Sequence, residues 1–374
     1  MIARPEHISC PISALLAQPA LAPQENSIMS SLKKQFVTVL FVSAISTIAQ
    51  ARDLTAVGFG GVTQEAFDKA YFKPFTAQSG LPIVQDTYGG GLAKQKAMVE
   101  SGNPTWDLVQ MDQNEMELAC EQGLLEELDL KRLKNAPEVD PEAFSTCGVG
   151  AFVWSEVMTY DQKKFAADGP KSWADFWNVQ KWPGKRGLRK QARMTLEIAL
   201  MADGVAPQDV YKVLATQQGQ DRAFAKLDEI KPYIQWWETG AQPLEWMAAG
   251  DLAMTAAYNG RIAIANQQGS QFPLIWQQQL YSMDYWTIIK DTPNLEQSYR
   301  LLDFILSRQA QEDFAHAIPY GIVNSKASAA LDARTVQTLP NAPANMKDAL
   351  LLDTPFWVNY EEDLMARFTR WVAQ

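Results

Sequence analysis

Histidine is scarce in this sequence, with two among 374 residues, and only His316 lies beyond the N-terminal fifty. Late in a helical segment, it reads first as a packing or surface residue. A Ser-His-Asp or Cys-His arrangement would have only His316 to build on. No His/Cys cluster has the spacing of a zinc site. Calcium-loop and phosphate-loop patterns are absent. Gly58-Phe59-Gly60-Gly61-Val62-Thr63 approaches the dinucleotide fingerprint but ends in Thr where the pattern wants Gly. Gly89 to Gly91 either cradles an anion at a helix start or permits a tight turn. The adjacent acids Glu126-Glu127 and Glu361-Glu362 read as solvated helix faces. No cofactor or metal is therefore expected. Positive charge is also short: 33 Lys and Arg stand against 43 Asp and Glu, a net charge of −10. That excludes a nucleic-acid partner, whose phosphates require a basic footprint. It is compatible with a cationic or zwitterionic ligand without proving one.

Long apolar runs are missing too, apart from Phe36 to Ile48, which is short for a membrane span. That run follows the basic Met29-Ser30-Ser31-Leu32-Lys33-Lys34 and precedes Ala49-Gln50-Ala51, a small-x-small cleavage pattern. Residues 29–51 thus read as an export signal with the mature chain starting at Arg52. An uncleaved anchor is the alternative. Residues 1–28 have no reason to precede such a signal, and Met29 is the expected start. There are three cysteines. Cys10 falls before Met29 and lacks the context of a lipid attachment site. Cys120 and Cys147 remain, an even pair in an oxidising compartment, either joined or left as two buried thiols.

The mature chain has two domains' worth of residues and the composition of a soluble globular protein, 47% hydrophobic and 20% charged. Leu54 to Gly61, Pro82 to Tyr88 and Leu108 to Met111 read as strands. Helical patterns over Glu65–Gln78, up to Glu100 and through Cys120 follow them. Strands alternating with helices predict an α/β fold with a parallel sheet, binding ligands beyond the carboxyl ends of its strands. Gly60-Gly61, Tyr88 to Gly91 and Asp112 to Asn114 would then line one cleft edge. Gly148 to Tyr160 reads as a strand near a crossover to a second lobe. Ser172-Trp173-Ala174-Asp175-Phe176-Trp177 is a capped helix start, and Trp182 to Leu188 a turn into a strand. Met194–Asp203, Ala206–Gly240 (broken at Pro232), Asn294–Ala317 (interrupted near Ser307) and Leu351–Val372 read as helical.

The stretch Asp251 to Trp286 carries the most chemistry. Leu252 to Tyr258 is an apolar strand bounded by Gly250 and Gly260, with Arg261 at the start of a helix over Ile262–Gln267. A second apolar stretch ends at Ser282-Met283-Asp284-Tyr285-Trp286. A guanidinium recognises a carboxylate with two parallel hydrogen bonds. A carboxylate among aromatic rings recognises an ammonium. Together they suit a small molecule with an acid at one end and an amine at the other. Mutual pairing of Arg261 and Asp284, or exposure on loops, is the plainer alternative.

Four stretches in order carry a family resemblance: Ser172 to Trp177, Tyr258-Asn259-Gly260-Arg261, Ser282 to Trp286, and Ile318-Pro319-Tyr320-Gly321-Ile322-Val323-Asn324. The chain from Leu54 onward resembles the periplasmic polyamine-binding proteins of ATP-driven importers. The resemblance implies a type II binding protein, a monomer of two hinge-linked α/β lobes, each a sheet flanked by helices, that closes on its ligand and delivers it to an ABC permease in the inner membrane. The lobes would be 52–158 with 284–318, and 159–283 with 319–374. It implies an ammonium-binding role for Asp284, aromatic roles for Tyr258 and Tyr320, and amine contact at Asp112 and Asn114. The family's second acidic pair is replaced by Gln191 and Met194, glycines stand near one of its aromatic contacts, and Ser282 replaces another. A diamine would leave Arg261 unpaired, at about 3–5 kcal/mol for a buried charge. A γ-aminobutyrate-binding relative has a similar arginine and aspartate arrangement. The expected ligand is therefore an ω-amino acid such as γ-aminobutyrate or 5-aminovalerate, with its carboxylate on Arg261 and its ammonium on Asp284. Tyr258, Trp286 and Tyr320 would enclose the methylenes, with Trp154 and Tyr88 also at the site. The alternatives are putrescine or spermidine, a secreted enzyme acting on an amino compound, or a sensor that presents its closed form to a receptor.

Overall fold

The computed structural model describes residues 52–165 and 168–374. The expected N-terminal extension, export signal and Cys10 lie outside the described residues. Among the described residues, nine strands form one mixed sheet: β1 (Leu54–Gly58), β2 (Ile83–Thr87), β3 (Leu108–Asp112), β4 (Gly148–Tyr160), β5 (Arg186–Arg189), β6 (Ile234–Trp237), β7 (Met254–Tyr258), β8 (Ile275–Ile288) and β9 (Leu350–Leu351). Their order is β2-β1-β3-β8-β4-β7-β5-β6, with β9 on β8. β1 is parallel to neighbours on both sides and is buried throughout, which is why Leu54-Thr55-Ala56-Val57-Gly58 is almost wholly apolar. At the edge, β2 exposes most of its side chains, and Gln85 and Asp86 blunt it against pairing.

The sheet departs from the all-parallel expectation at its centre. β3 runs antiparallel to β8, and β8 and β7 run antiparallel to β4. The reason lies in β4 and β8, 13 and 14 residues long, each returning to the sheet after a long connection. They run from the β2-β1-β3 end to the β7-β5-β6 end and join the two, with register shifts between Gly150 and Phe152 and between Glu156 and Met158.

The helices follow from local signals. Ser172 caps Trp173–Trp177, its side chain accepting from the Asp175 amide. Ser307 caps Arg308–Ala317, which accounts for the interruption of the segment that starts with Leu295–Ile305. Asp353 caps the terminal helix Thr354–Val372. The stretch expected to be mostly helical from 206 to 240 holds the helices Val210–Leu214 and Gln217–Ile230 but also β6, which the sequence reading missed. Cys120, in the helix Gln113–Glu121, is joined to Cys147, next to the start of β4, with a Cα–Cα distance of 5.8 Å. No helix among the described residues is long and apolar enough to cross a membrane.

Candidate ligand-binding site

A cavity of about 250 Å³ opens beyond the ends of β1 and β3, against the middle of β4 and β8. The strand register brings its acids together. Asp284 on β8 lies opposite Asp112 on β3 and opposite Phe152 on β4. Asp284 is buried, and neutral groups hold its carboxylate: Trp154 Nε1 donates to Oδ1 at 2.6 Å and Gln110 Nε2 donates to Oδ2. Burial pushes the Asp284 carboxyl well above its ordinary range, and the Asp112 charge pushes it further. The two hydrogen bonds and Arg193 oppose that rise. An arriving ammonium would favour the charged form.

Arg261 enters from the opposite side, on the helix Asn259–Gln267. Two glycines clear its path. A Cβ at Gly61 would sit 2.7 Å from its Nη1, and a Cβ at Gly240 2.8 Å from its Nε. Its one side-chain hydrogen bond among the described residues is a long one, Nη2 donating to the Gly60 carbonyl at 3.3 Å. Arg261 and Asp284 line the same cavity without pairing with each other, so the plainer alternative does not describe this structure.

The local backbone sets the other walls. Asn259, fully buried, accepts from the Ser155 amide at 3.0 Å and donates to the Pro319 carbonyl at 2.7 Å. One side chain thereby ties β4 to the loop that carries Tyr320, with Tyr258 and Arg261 on either side of it. Gly260 is required there, because a Cβ would meet the Tyr320 ring at 2.6 Å. The aromatic wall consists of pairs: Tyr320 stacks on Phe152 (4.6 Å between centroids), Tyr88 on Phe59 (4.9 Å), and Trp154 meets Tyr258 edge-on (5.3 Å). Arg189 donates to the Tyr258 hydroxyl, whose pKa burial pushes up to about 12.

Eight of the nine expected site residues line this cavity: Arg261, Asp284, Tyr258, Tyr320, Trp154, Asp112, Asn114 and Tyr88. Trp286 does not, and its expected place around the ligand is corrected. It is fully buried, with its ring 4.8 Å from Phe67 and 6.3 Å from Phe72. Residues two apart share a sheet face, but the helix Gly61–Phe67 roofs the farther one. Gln191 and Met194 line the cavity.

Sequence reasoning passed over several lining residues, Phe59, Gln110, Phe152, Arg189, Arg193 and Glu115, and Glu361, read as part of a solvated helix face, also lines the cavity. A signal existed for two of them. Gln110 is two residues before Asp112 on a strand, hence on the same face, and Phe59 leads into the glycines already placed at the cleft edge. Arg193 bonds Asp112 with two hydrogen bonds, 2.7 and 2.9 Å, and nothing local in the sequence marks that pair. No group of three or more His, Cys, Asp or Glu among the described residues is placed to hold a metal ion.

Comparison with known proteins adds four findings. Residues 70–344 match the family described as bacterial extracellular solute-binding protein. A γ-aminobutyric acid-binding protein of Pseudomonas aeruginosa is 49% identical over 332 residues, covering 88% of this chain and 94% of that protein. A spermidine/putrescine-binding periplasmic protein of Haemophilus influenzae is 21% identical over 295 residues, covering 76% and 78%. Among solved structures, the Atu4243–GABA receptor superposes with a TM-score of 0.76 at 31% identity, covering 86% of this chain and 98% of its own.

Proposed function

Because the chain belongs to the bacterial extracellular solute-binding family and its relatives and structural neighbours are substrate-binding proteins of ABC transporters, not enzymes, we propose that its ligand is a short ω-amino acid, γ-aminobutyrate first. One observation carries the reading: among the described residues, a single small cavity holds the Arg261 guanidinium with no protein carboxylate on it and the Asp284 carboxylate bonded only by neutral donors. Each charge waits for a counter-charge from outside. The ligand carboxylate meets Arg261, its ammonium meets Asp284, and its methylenes lie among Tyr258, Tyr320, Trp154 and Phe152. The 49% identity to a γ-aminobutyric acid-binding protein, against 21% to a polyamine binder, supports this choice.

The rest of the proposal follows from export and delivery. Residues 29–51 direct the chain to the periplasm and are removed. The mature protein acts as a monomer. Its two lobes, 52–158 with 284–318 and 159–283 with 319–374, close by hinge motion over the ligand, and the closed form docks on an inner-membrane permease. The contacts of Arg261 with Gly60 and of Arg193 with Asp112 join these two sets of residues.

Calorimetric titration of the purified mature protein tests the assignment, with γ-aminobutyrate, 5-aminovalerate and putrescine as ligands. Tight binding of the amino acids is expected. Tight putrescine binding with no response to γ-aminobutyrate would overturn it. Mass spectrometry after incubation should recover the ligand unchanged.

A further inference from the structure

The cavity contains two aspartates that face each other across neighbouring antiparallel strands, Asp112 on β3 and Asp284 on β8. Directly opposed residues hold their Cβ atoms about 5 Å apart, close enough for like charges to repel. Those two carboxylates alone would make a site for a dication. A third side chain changes that. Arg193 Nη1 donates to Asp112 Oδ1 at 2.7 Å and Nη2 to Oδ2 at 2.9 Å, a two-point pair with side-chain exposures of 11% and 17%. Asp112 Oδ1 also accepts from the Asn114 amide at 3.0 Å, capping the helix Gln113–Glu121. The residue after Arg193, Met194, has a φ of 69°, a left-handed conformation that only a few non-glycine residues adopt. The chain accepts strain where it turns Arg193 into the cavity.

We propose that Arg193 determines specificity by acting as a resident cation. It occupies the second carboxylate, leaves Asp284 alone to receive an ammonium, and so excludes diamines in favour of ligands with one positive charge. This inference rests on the reading that Asp284 binds the ligand's ammonium. Excluding the wrong ligand by juxtaposed like charge is a separate device from attracting the right one.

The test is titration of the mature protein and two variants with γ-aminobutyrate, putrescine and glutamate. In Arg193→Gln, Asp112 is freed, and the ratio of putrescine to γ-aminobutyrate affinity should rise about a hundredfold. In Asp112→Asn, Arg193 is freed instead. Glutamate, which adds a second carboxylate, should gain relative to γ-aminobutyrate, and putrescine should gain nothing. A purely structural pair would lower the melting temperature in both variants without moving these ratios in opposite senses. A folded Arg193→Gln protein that binds putrescine no better than the parent would overturn the inference. If Arg193→Gln does not fold, unchanged glutamate selectivity in Asp112→Asn would do the same. Tight putrescine binding by the parent, with Arg193 in place, would overturn this inference and the amino-acid reading together. γ-Aminobutyrate binding by the parent with no ratio shift in the variants would sink this inference alone.

Discussion

Truncating Arg261 to alanine should separate ligand binding from folding. In the ligand-free protein the guanidinium is half-buried, and its one described hydrogen bond is the 3.3 Å contact with the Gly60 carbonyl. A hydrogen bond that long contributes little, so Arg261→Ala should lower ligand-free stability by about 1 kcal/mol or less. For a domain of this size that is about 2 °C in melting temperature. With ligand present the balance differs. A zwitterion's carboxylate in the cavity would lose the guanidinium proposed to pair with it, and truncating one side of a buried charge pair costs about 2–5 kcal/mol. The dissociation constant for γ-aminobutyrate should therefore rise about 30-fold to a few thousand-fold. Calorimetry reads the second quantity and a thermal melt without ligand reads the first. The melt repeated with ligand adds a check by mass action: at about a hundred times the parent's dissociation constant, the parent gains about 2.7 kcal/mol and the variant about 1 kcal/mol or less. Equal affinity before and after the substitution would refute the assignment. So would a collapse of ligand-free stability, which would make Arg261 a structural residue.

Two further predictions concern the fold. Replacing Cys120 and Cys147 together with serine opens a link between residues 27 apart in sequence, and should cost about 3–4 kcal/mol on the chain-entropy account. A lowered urea midpoint in the variant, matched by the parent under reducing agent, checks this. Burial, with a nearby Glu197 adding to it against Arg189 and Arg193, pushes the Glu156 carboxyl up to about 7. A group whose folded pKa lies above its unfolded one adds stability at low pH and loses it as pH rises between the two. The parent should therefore lose about 3 kcal/mol relative to Glu156→Gln between pH 4.5 and 7. Denaturant melts of both proteins at intervals across that window would show it, and a constant difference would contradict it.

The legible parts of the molecule were those written in local pattern. A run such as Leu54 to Gly58 has one physical solution, a strand covered on both faces, and the Ser307 cap shows in the sequence as a break. Arg261 and Asp284 stood out because charge amid apolar and aromatic residues requires a counter-charge. What escaped was set by tertiary structure. Trp286 has the right alternation for the cavity wall, but alternation gives the face and not the depth, and the helix Gly61–Phe67 decides the depth. β6 is four residues long, too short for strand alternation to show, so the break at Pro232 reads as an interruption within a helical stretch and not as its end. Arg193 and Asp112 are 81 residues apart, and only the folded sheet brings a guanidinium to that carboxylate.

If Asp284 receives the ligand as proposed, the ties on it have a consequence for how cargo is sized. Its carboxylate is lashed to side chains from β3 and β4 while its own backbone belongs to β8, so three adjacent strands fix it as the stationary stop of a gauge. On the proposed reading the opposing stop is the tip of one long side chain, Arg261, held close to the bare backbones of Gly61 and Gly240. Shims placed at Gly61 or Gly240 would reset the gap by a methylene or so, without any change to a residue that grips the cargo.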